Sequence, residues 1–358
     1  MMINSPDQFH QTRMNQSTIR SIKKELIQME RKSHEQSIDE YKEEMIEHLL
    51  GMEPSTQPNL SLIQQQPEIN LRMRPLLLDF LMDVINKLNL SKSTFPLTVN
   101  LIDRYCSIRI VKKQHYQLLG LTSLWISCKN LDSKFKIPSL NDLCKMCCNC
   151  YDKKLFLEME NHVLKSLNWL ITCPTFDSFI EFFINYEYNG VLAGLLNSQI
   201  DDINRISIYI CELIQFYPNI YFNYNSSQIA LTSFITSLKI LNIKPNLSNL
   251  FSKFDKILNQ EILNTNSFSQ CFNLLIKILK CPPPSLKLKY FNDDGKYINL
   301  MKKLILFTND NLNSKLVCST KNYTSSGTTT PKFYPTTPTS NNIMVLTVNW
   351  PKQENPVS

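Results

Sequence analysis

Four cysteines in the stretch CKMCCNC, Cys144, Cys147, Cys148 and Cys150, include the Cys-x-x-Cys spacing that suits zinc. A tetrahedral site needs a second pair or a histidine at a suitable distance, and Cys173 and His162 stand at no familiar interval. The stretch therefore reads as small apolar residues on a short helix and its exit, with no metal. Nucleophilic catalysis has less support, because no GxSxG occurs and the five histidines (His10, His34, His48, His115, His162) fall mostly in charged helical or terminal contexts. The paired carboxylates Asp201-Asp202 and Glu43-Glu44 lie on polar helix faces. With only six glycines, neither GxGxxG nor a P-loop can be assembled, so a phosphate cradle of that kind is absent. No catalytic residue and no cofactor are assigned.

A chain of this kind acts through surfaces, and the elements that shape those surfaces decide its function. Its 358 residues correspond to two compact units and a remainder at about 150 residues per domain. A hydrophobic share of 43% supports a sizeable core, while a net charge of +7 falls short of the dense basic stripe that nucleic-acid binding requires. No nucleic-acid partner is expected. The 11 cysteines are odd in number and many sit inside apolar helical patterns (Cys106, Cys128, Cys211, Cys271). The polar start MMINSPDQFHQTRMNQ is no secretory signal, which points to reduced thiols in the cytosol or nucleus. No run of about 18 apolar residues exists, so no membrane partner is expected.

The spacing of Ile19, Ile22, Leu26, Met29, Ile38, Tyr41, Met45 and Leu49 predicts an amphipathic helix or helix pair ending at Gly51. EPSTQPNLSLIQQQPEIN reads as a connector. From Leu71 a series of five helices follows: RPLLLDFLMDVINKLNL, expected to be central and largely buried, then FPLTVNLIDRYCSI, YQLLGLTSLWISCKNL, SLNDLCKMCCN and DKKLFLEMENHVLKSLNW. A second series of about five begins after Pro174 and includes SNLFSKFDKILNQ and NSFSQCFNLLIKILK. Pro282, Pro283 and Pro284 end it; one more helix is expected after them, and disorder beyond Asn309. The divisions are an N-terminal extension (1–70), a first helical unit (71–172), a second (173–282) and a C-terminal segment (283–358).

Motifs in the first unit stand in an informative order: Met73-Arg74-Pro75-Leu76-Leu77-Leu78-Asp79-Phe80-Leu81-Met82-Asp83-Val84, then Leu101-Ile102-Asp103-Arg104-Tyr105, Gln117-Leu118-Leu119-Gly120, Ser127-Cys128-Lys129, and Met159-Glu160 with Leu164 and Leu167. This pattern resembles a cyclin box across about residues 71–180, and its wording resembles fungal G1 cyclins. The resemblance implies an all-α cyclin fold of two consecutive five-helix units, the second degenerate, with an N-terminal helical extension and a disordered tail. It implies a regulatory subunit, not an enzyme, that binds and activates a cyclin-dependent kinase to promote G1/S entry, located in nucleus and cytoplasm.

Individual roles follow from the resemblance. Arg74 and Asp103 correspond to an internal ion pair. Lys129, Glu160 and Leu164 correspond to the kinase contact, where the charged side chains can bond to partner backbone groups. Met73, Leu77, Phe80, Asp83 and Gln117 correspond to a patch that docks kinase substrates through short motifs. The sequence departs from the family at Asn130, at Leu131-Asp132 and at Phe80, which replaces a tryptophan. The RxxL spacing of Arg74-Leu77 belongs to the first helix and is no destruction box. Thr330-Pro331 and Thr337-Pro338 offer proline-directed phosphorylation sites for capture by a ubiquitin ligase. Rival readings are a cyclin-fold transcription factor of the factor IIB kind, a cyclin serving a transcriptional or metabolic kinase, and, weakest, a zinc enzyme.

Overall fold

The computed structural model describes residues 16–187, 192, 194–243, 265–279, 281–291 and 298–319. Among the described residues the regular elements are helices. They are α1 (Gln16–Thr56), α2 (Leu60–Ile63), α3 (Met73–Leu88), α4 (Thr94–Ile108), α5 (Tyr116–Leu131), α6 (Leu140–Met146) and α7 (Lys153–Ser166), then α8 (Phe176–Glu187), α9 (Asn197–Gln215), α10 (Pro218–Tyr221), α11 (Ser226–Ile240), α12 (Thr265–Ile278), α13 (Pro284–Tyr290) and α14 (Ile298–Ser319). The helix expected over SNLFSKFDKILNQ lies outside the described residues. Two compact units divide between Glu47 and His48. The first carries most of α1, which exposes Leu26, Met29 and Met45 and departs from helical dihedrals at Tyr41 (φ −109°, ψ 15°).

The second unit is built around α4, in which every residue from Thr94 to Cys106 is buried. The sequence expectation had made α3 the central helix. Its apolar residues do reach most faces, but Leu76 is 54% exposed, and Asp79, Asp83 and Lys87 hold one side at or near the surface. α5 packs on both α4 and α3, and Gly120 permits the approach to α3: a Cβ there would stand 2.7 Å from Leu77 Cδ1.

The second helical series packs α9 on α11 and both on α8. α8 turns Phe176, Phe179, Ile180 and Phe183 inward at steps of three, one and three residues, a single helical stripe. α11 is buried on most sides although it is rich in hydroxyls. Thr232, Ser233 and Thr236 each donate to a carbonyl four residues earlier, at 2.6–2.8 Å, so burial leaves these hydroxyls satisfied.

Several expected boundaries shift. α1 runs past Gly51 to Thr56 because its end is held from outside. Glu53 accepts from Ser227 N–H (2.7 Å) and Oγ (2.8 Å), and the Thr56 carbonyl accepts from Asn100 Nδ2 (2.8 Å). The connector contains α2, packed on α4, and Gln66 binds it down by donating to the Cys106 and Arg109 carbonyls and accepting from Val111 N–H. After the three prolines there are two helices instead of one, since Pro284 stands in the first turn of α13, where a missing N–H costs nothing. α14 continues to Ser319, beyond Asn309: Leu300, Met301, Leu304 and Thr308 anchor it, and adding residues to an existing helix is cheap.

Candidate functional site on α5 and α7

α5 and α7 lie side by side, and each is placed by polar groups at its ends. Asp152 caps α7 by accepting from Leu155 N–H at 2.8 Å. Ser139 and Asp142 form a capping box that starts α6. Asp132, where this chain departs from the family, turns inward and accepts from Ser91 N–H (2.7 Å) and Thr94 Oγ1 (2.6 Å), which fixes the start of α4 against the end of α5.

Lys129 stands in the last turn of α5, where a cation complements the helix dipole. Its ammonium lies 3.3 Å from the centroid of the Trp125 ring one turn earlier and forms an ion pair with Glu160 of α7. Both side chains remain reachable, at 36% and 17% exposure. Leu164, one turn beyond Glu160, is half-buried, and Leu157, one turn before it, is exposed. Leu131 and Phe135 follow Lys129, the latter 99% exposed. Exposed pairs of this kind contribute about 0.2–1 kcal/mol to stability, so opening this one toward a partner costs little. Trp125 was missed at the sequence level, although its spacing of four residues from Lys129 is visible there.

Arg74 and Asp103 are both buried, with Nε to Oδ1 at 2.9 Å and Nη2 to Oδ2 at 2.8 Å. The pair reaches further than the first helical series. Arg74 Nη1 donates to the Gln215 carbonyl of α9, and its guanidinium lies over the rings of Tyr221 (4.8 Å) and Phe222 (5.1 Å). Burial works against its charge, the Asp103 carboxylate overcomes that, and the Arg74 pKa is raised.

The docking set is divided. Met73, Asp83 and Gln117 are partly exposed and Phe80 is nearly covered, whereas Leu77 is buried against Gly120. Both Leu76 and Leu77 stand at helical spacing from Met73 and Phe80, but Leu77 faces Gly120 and Leu76 is 54% exposed, so Leu76 is the leucine left at the surface beside them. Asp83 is paired with Lys87 at 2.7 Å. α13 borders this helix, with Ser285 N–H on Asp79 Oδ1 at 3.0 Å. Thr330 and Thr337 lie outside the described residues.

At the cysteine stretch the chain reverses through Cys148 (φ 52°) and Asn149 (φ 59°), leaving Cys144 and Cys147 buried and Cys148 and Cys150 outward. Cys147 Sγ donates to the Cys144 carbonyl at 3.1 Å. Among the described residues no three His, Cys, Asp or Glu side chains are placed to hold a metal, and no helix is long and apolar enough to cross a membrane.

Comparison with solved structures places this arrangement among known folds. A viral cyclin from herpesvirus saimiri superposes with a TM-score of 0.53, at 19% identity, over 64% of this chain and 96% of the other. The class defined by the fold is therefore that of cyclin-fold proteins.

Sequence relatives narrow the class. A profile described as "Cyclin, N-terminal domain" matches residues 44–172. The G1/S-specific cyclin CLN2 of Candida albicans is 52% identical over 337 residues, covering 87% of this chain and 72% of that protein. The G1/S-specific cyclin CLN3 of Saccharomyces cerevisiae is 33% identical, covering 75% and 53%. The chain belongs to the cyclin family, among the fungal G1/S cyclins, as a regulatory subunit of a cyclin-dependent kinase and not an enzyme itself.

Proposed function

We propose that this G1 cyclin engages its kinase through Lys129, Glu160 and Leu164. The observation that carries this reading is the exposed Lys129–Glu160 pair, held above Trp125 on two rigid neighbouring helices. An ammonium donates to backbone carbonyls and a carboxylate accepts backbone N–H groups. The pair can therefore open onto a main-chain segment of the kinase whatever its side chains, each charge-assisted bond contributing about 1.5–3 kcal/mol. Leu131, Phe135 and Leu157 supply exposed apolar area nearby. Binding selects the kinase conformation in which its mobile helix is turned inward, its Glu paired with the ATP-site Lys and its activation loop ordered.

Substrates dock on the α3 stripe, with Met73, Leu76, Phe80 and Asp83 beside Gln117. There the Asp83–Lys87 pair must open for a basic residue of a substrate motif. Phosphorylation at Thr330 and Thr337 adds about −1.5 to −2 charge at each and creates a handle for a ubiquitin ligase; the protein works in nucleus and cytoplasm. The kinase contact is tested by co-purification and kinase assay with Lys129→Ala/Glu160→Ala. Loss of both binding and activation by a folded variant is expected, and wild-type behaviour would remove the assignment.

A further inference from the structure

α6 runs out into a turn in which Cys147, Cys148 and Cys150 surround a single asparagine, Asn149. Cys148 N–H bonds the Lys145 carbonyl at 3.0 Å and Asn149 N–H bonds the Cys144 carbonyl at 2.7 Å, the paired bonds of a Schellman end. Cys148 thus occupies the left-handed position that glycine usually fills (φ 52°), and Asn149 after it is left-handed as well (φ 59°). Cys150 N–H then bonds the Cys147 carbonyl at 3.0 Å. Residues 147–150 are therefore a hydrogen-bonded β-turn with a cysteine at its first and its last position. Such a turn brings its end Cα atoms within about 7 Å, and a disulfide spans about 4.4–6.8 Å.

The sulfur environment agrees with the backbone. Burial pushes the Cys147 thiol up, its sulfur stands beside the backbone N–H groups of Tyr151 and Cys150, and the thiols of Cys144 and Cys150 lie close enough to act on it. Cys150 is exposed, whereas Cys147 is only 3% exposed. The two differ as a redox pair requires, one reachable by a small oxidant and one sheltered beside it. Cys144 makes a poorer partner for Cys147, because it is buried too and an oxidant would reach neither sulfur. Tyr151 holds the turn in place: its Oη donates to the Gln114 carbonyl at 2.6 Å, and its ring meets that of Phe156 of α7 edge-on at 6.3 Å.

We infer that Cys147 and Cys150 form a reversible redox site, closed to a disulfide by a low-molecular-weight disulfide such as oxidised glutathione. The Cys150 thiolate attacks one sulfur of the oxidant, forming a mixed disulfide and releasing one glutathione thiolate, which takes up a proton. Cys147 then gives up its proton and attacks the Cys150 sulfur, the bond to glutathione breaks, and the second glutathione leaves. Two cysteine thiols are oxidised and one glutathione disulfide is reduced to two glutathiones. The site lies at the joint between α6 and α7 and does not depend on Lys129 or Glu160.

The test equilibrates the folded full chain in buffers of graded glutathione to glutathione-disulfide ratio, blocks the remaining thiols with iodoacetamide and weighs the tryptic peptide 146–153, which holds Cys147, Cys148 and Cys150. Loss of two hydrogens with one alkylated cysteine is expected, reversed by dithiothreitol. Cys148→Gly keeps the turn, leaves two thiols in the peptide and should still lose two hydrogens. Cys147→Ser should instead retain glutathione on Cys150, and Cys150→Ser should give no internal disulfide, with thermal melting of both unchanged. Half-oxidation of the wild type should need about tenfold less glutathione disulfide in the folded chain than in urea, where the turn no longer orients the pair. A bond from Cys150 to any other cysteine, glutathione adducts with no internal bond in the wild type, no oxidation, or equal behaviour in urea would overturn the proposal.

Discussion

Single residues carry much of the stability. Removing Arg74 leaves the Asp103 carboxylate and the Gln215 carbonyl unpaired where water cannot reach them. Arg74→Ala is expected to lower the free energy of unfolding by about 3–5 kcal/mol in urea titration, because one-sided loss of a buried pair strands a charge. Arg74→Met/Asp103→Leu should recover much of that loss. Leu76 and Leu77 make a sharper contrast, being neighbours in sequence that face differently. Leu77→Ala should cost about 2–5 kcal/mol as a buried truncation. Leu76→Ala should leave stability within about 0.5 kcal/mol and act instead on capture of a substrate peptide. The resemblance to the cyclin box implied the pairing of Arg74 with Asp103, and the buried ion pair is present. The Gln215 carbonyl and the Tyr221 and Phe222 rings were not legible, since the spacing of residues around position 74 says nothing about a backbone oxygen 141 residues away.

At the level of elements, helix identity was largely readable where the apolar pattern was long. α5 begins and ends where its sequence pattern does, and α7 begins at the Asp152 cap. Ends fixed by distant groups were not readable. Glu53 is the example: burial pushes its carboxyl above the usual value, against the opposing Ser227 hydrogen bonds. The folded state then keeps this proton to higher pH than the unfolded chain does. Its contribution is most favourable below the ordinary carboxyl value of 4.5 and is lost as pH rises through the raised folded value. Glu53→Gln should flatten that part of the stability–pH curve. Glu53→Ala should cost about 1–2 kcal/mol by removing the cap on α11, both read from denaturation midpoints across an acid-to-neutral series.

On the scale of the whole molecule, the same Arg74 group binds the first helical series to α9 and the chain that follows it, and Ser93 donates to Asp177 of α8. Two series tied by buried polar bonds should unfold together, so circular dichroism and tryptophan fluorescence are expected to give coincident denaturation curves. Two resolved transitions would show the ties to be weak. Composition was a poor guide to sites, because a net charge of +7 says nothing about where individual cations stand.

The account stands on the Lys129–Glu160 pair, and kinase activation tests it most directly. Purified cyclin-dependent kinase is titrated with wild-type protein and with Lys129→Ala/Glu160→Ala, after matched melting curves establish that both are folded. The account predicts that the double variant needs at least about a hundredfold more protein for half-maximal activity, from two lost charge-assisted bonds of about 1.5 kcal/mol each. Overlapping titration curves would contradict it.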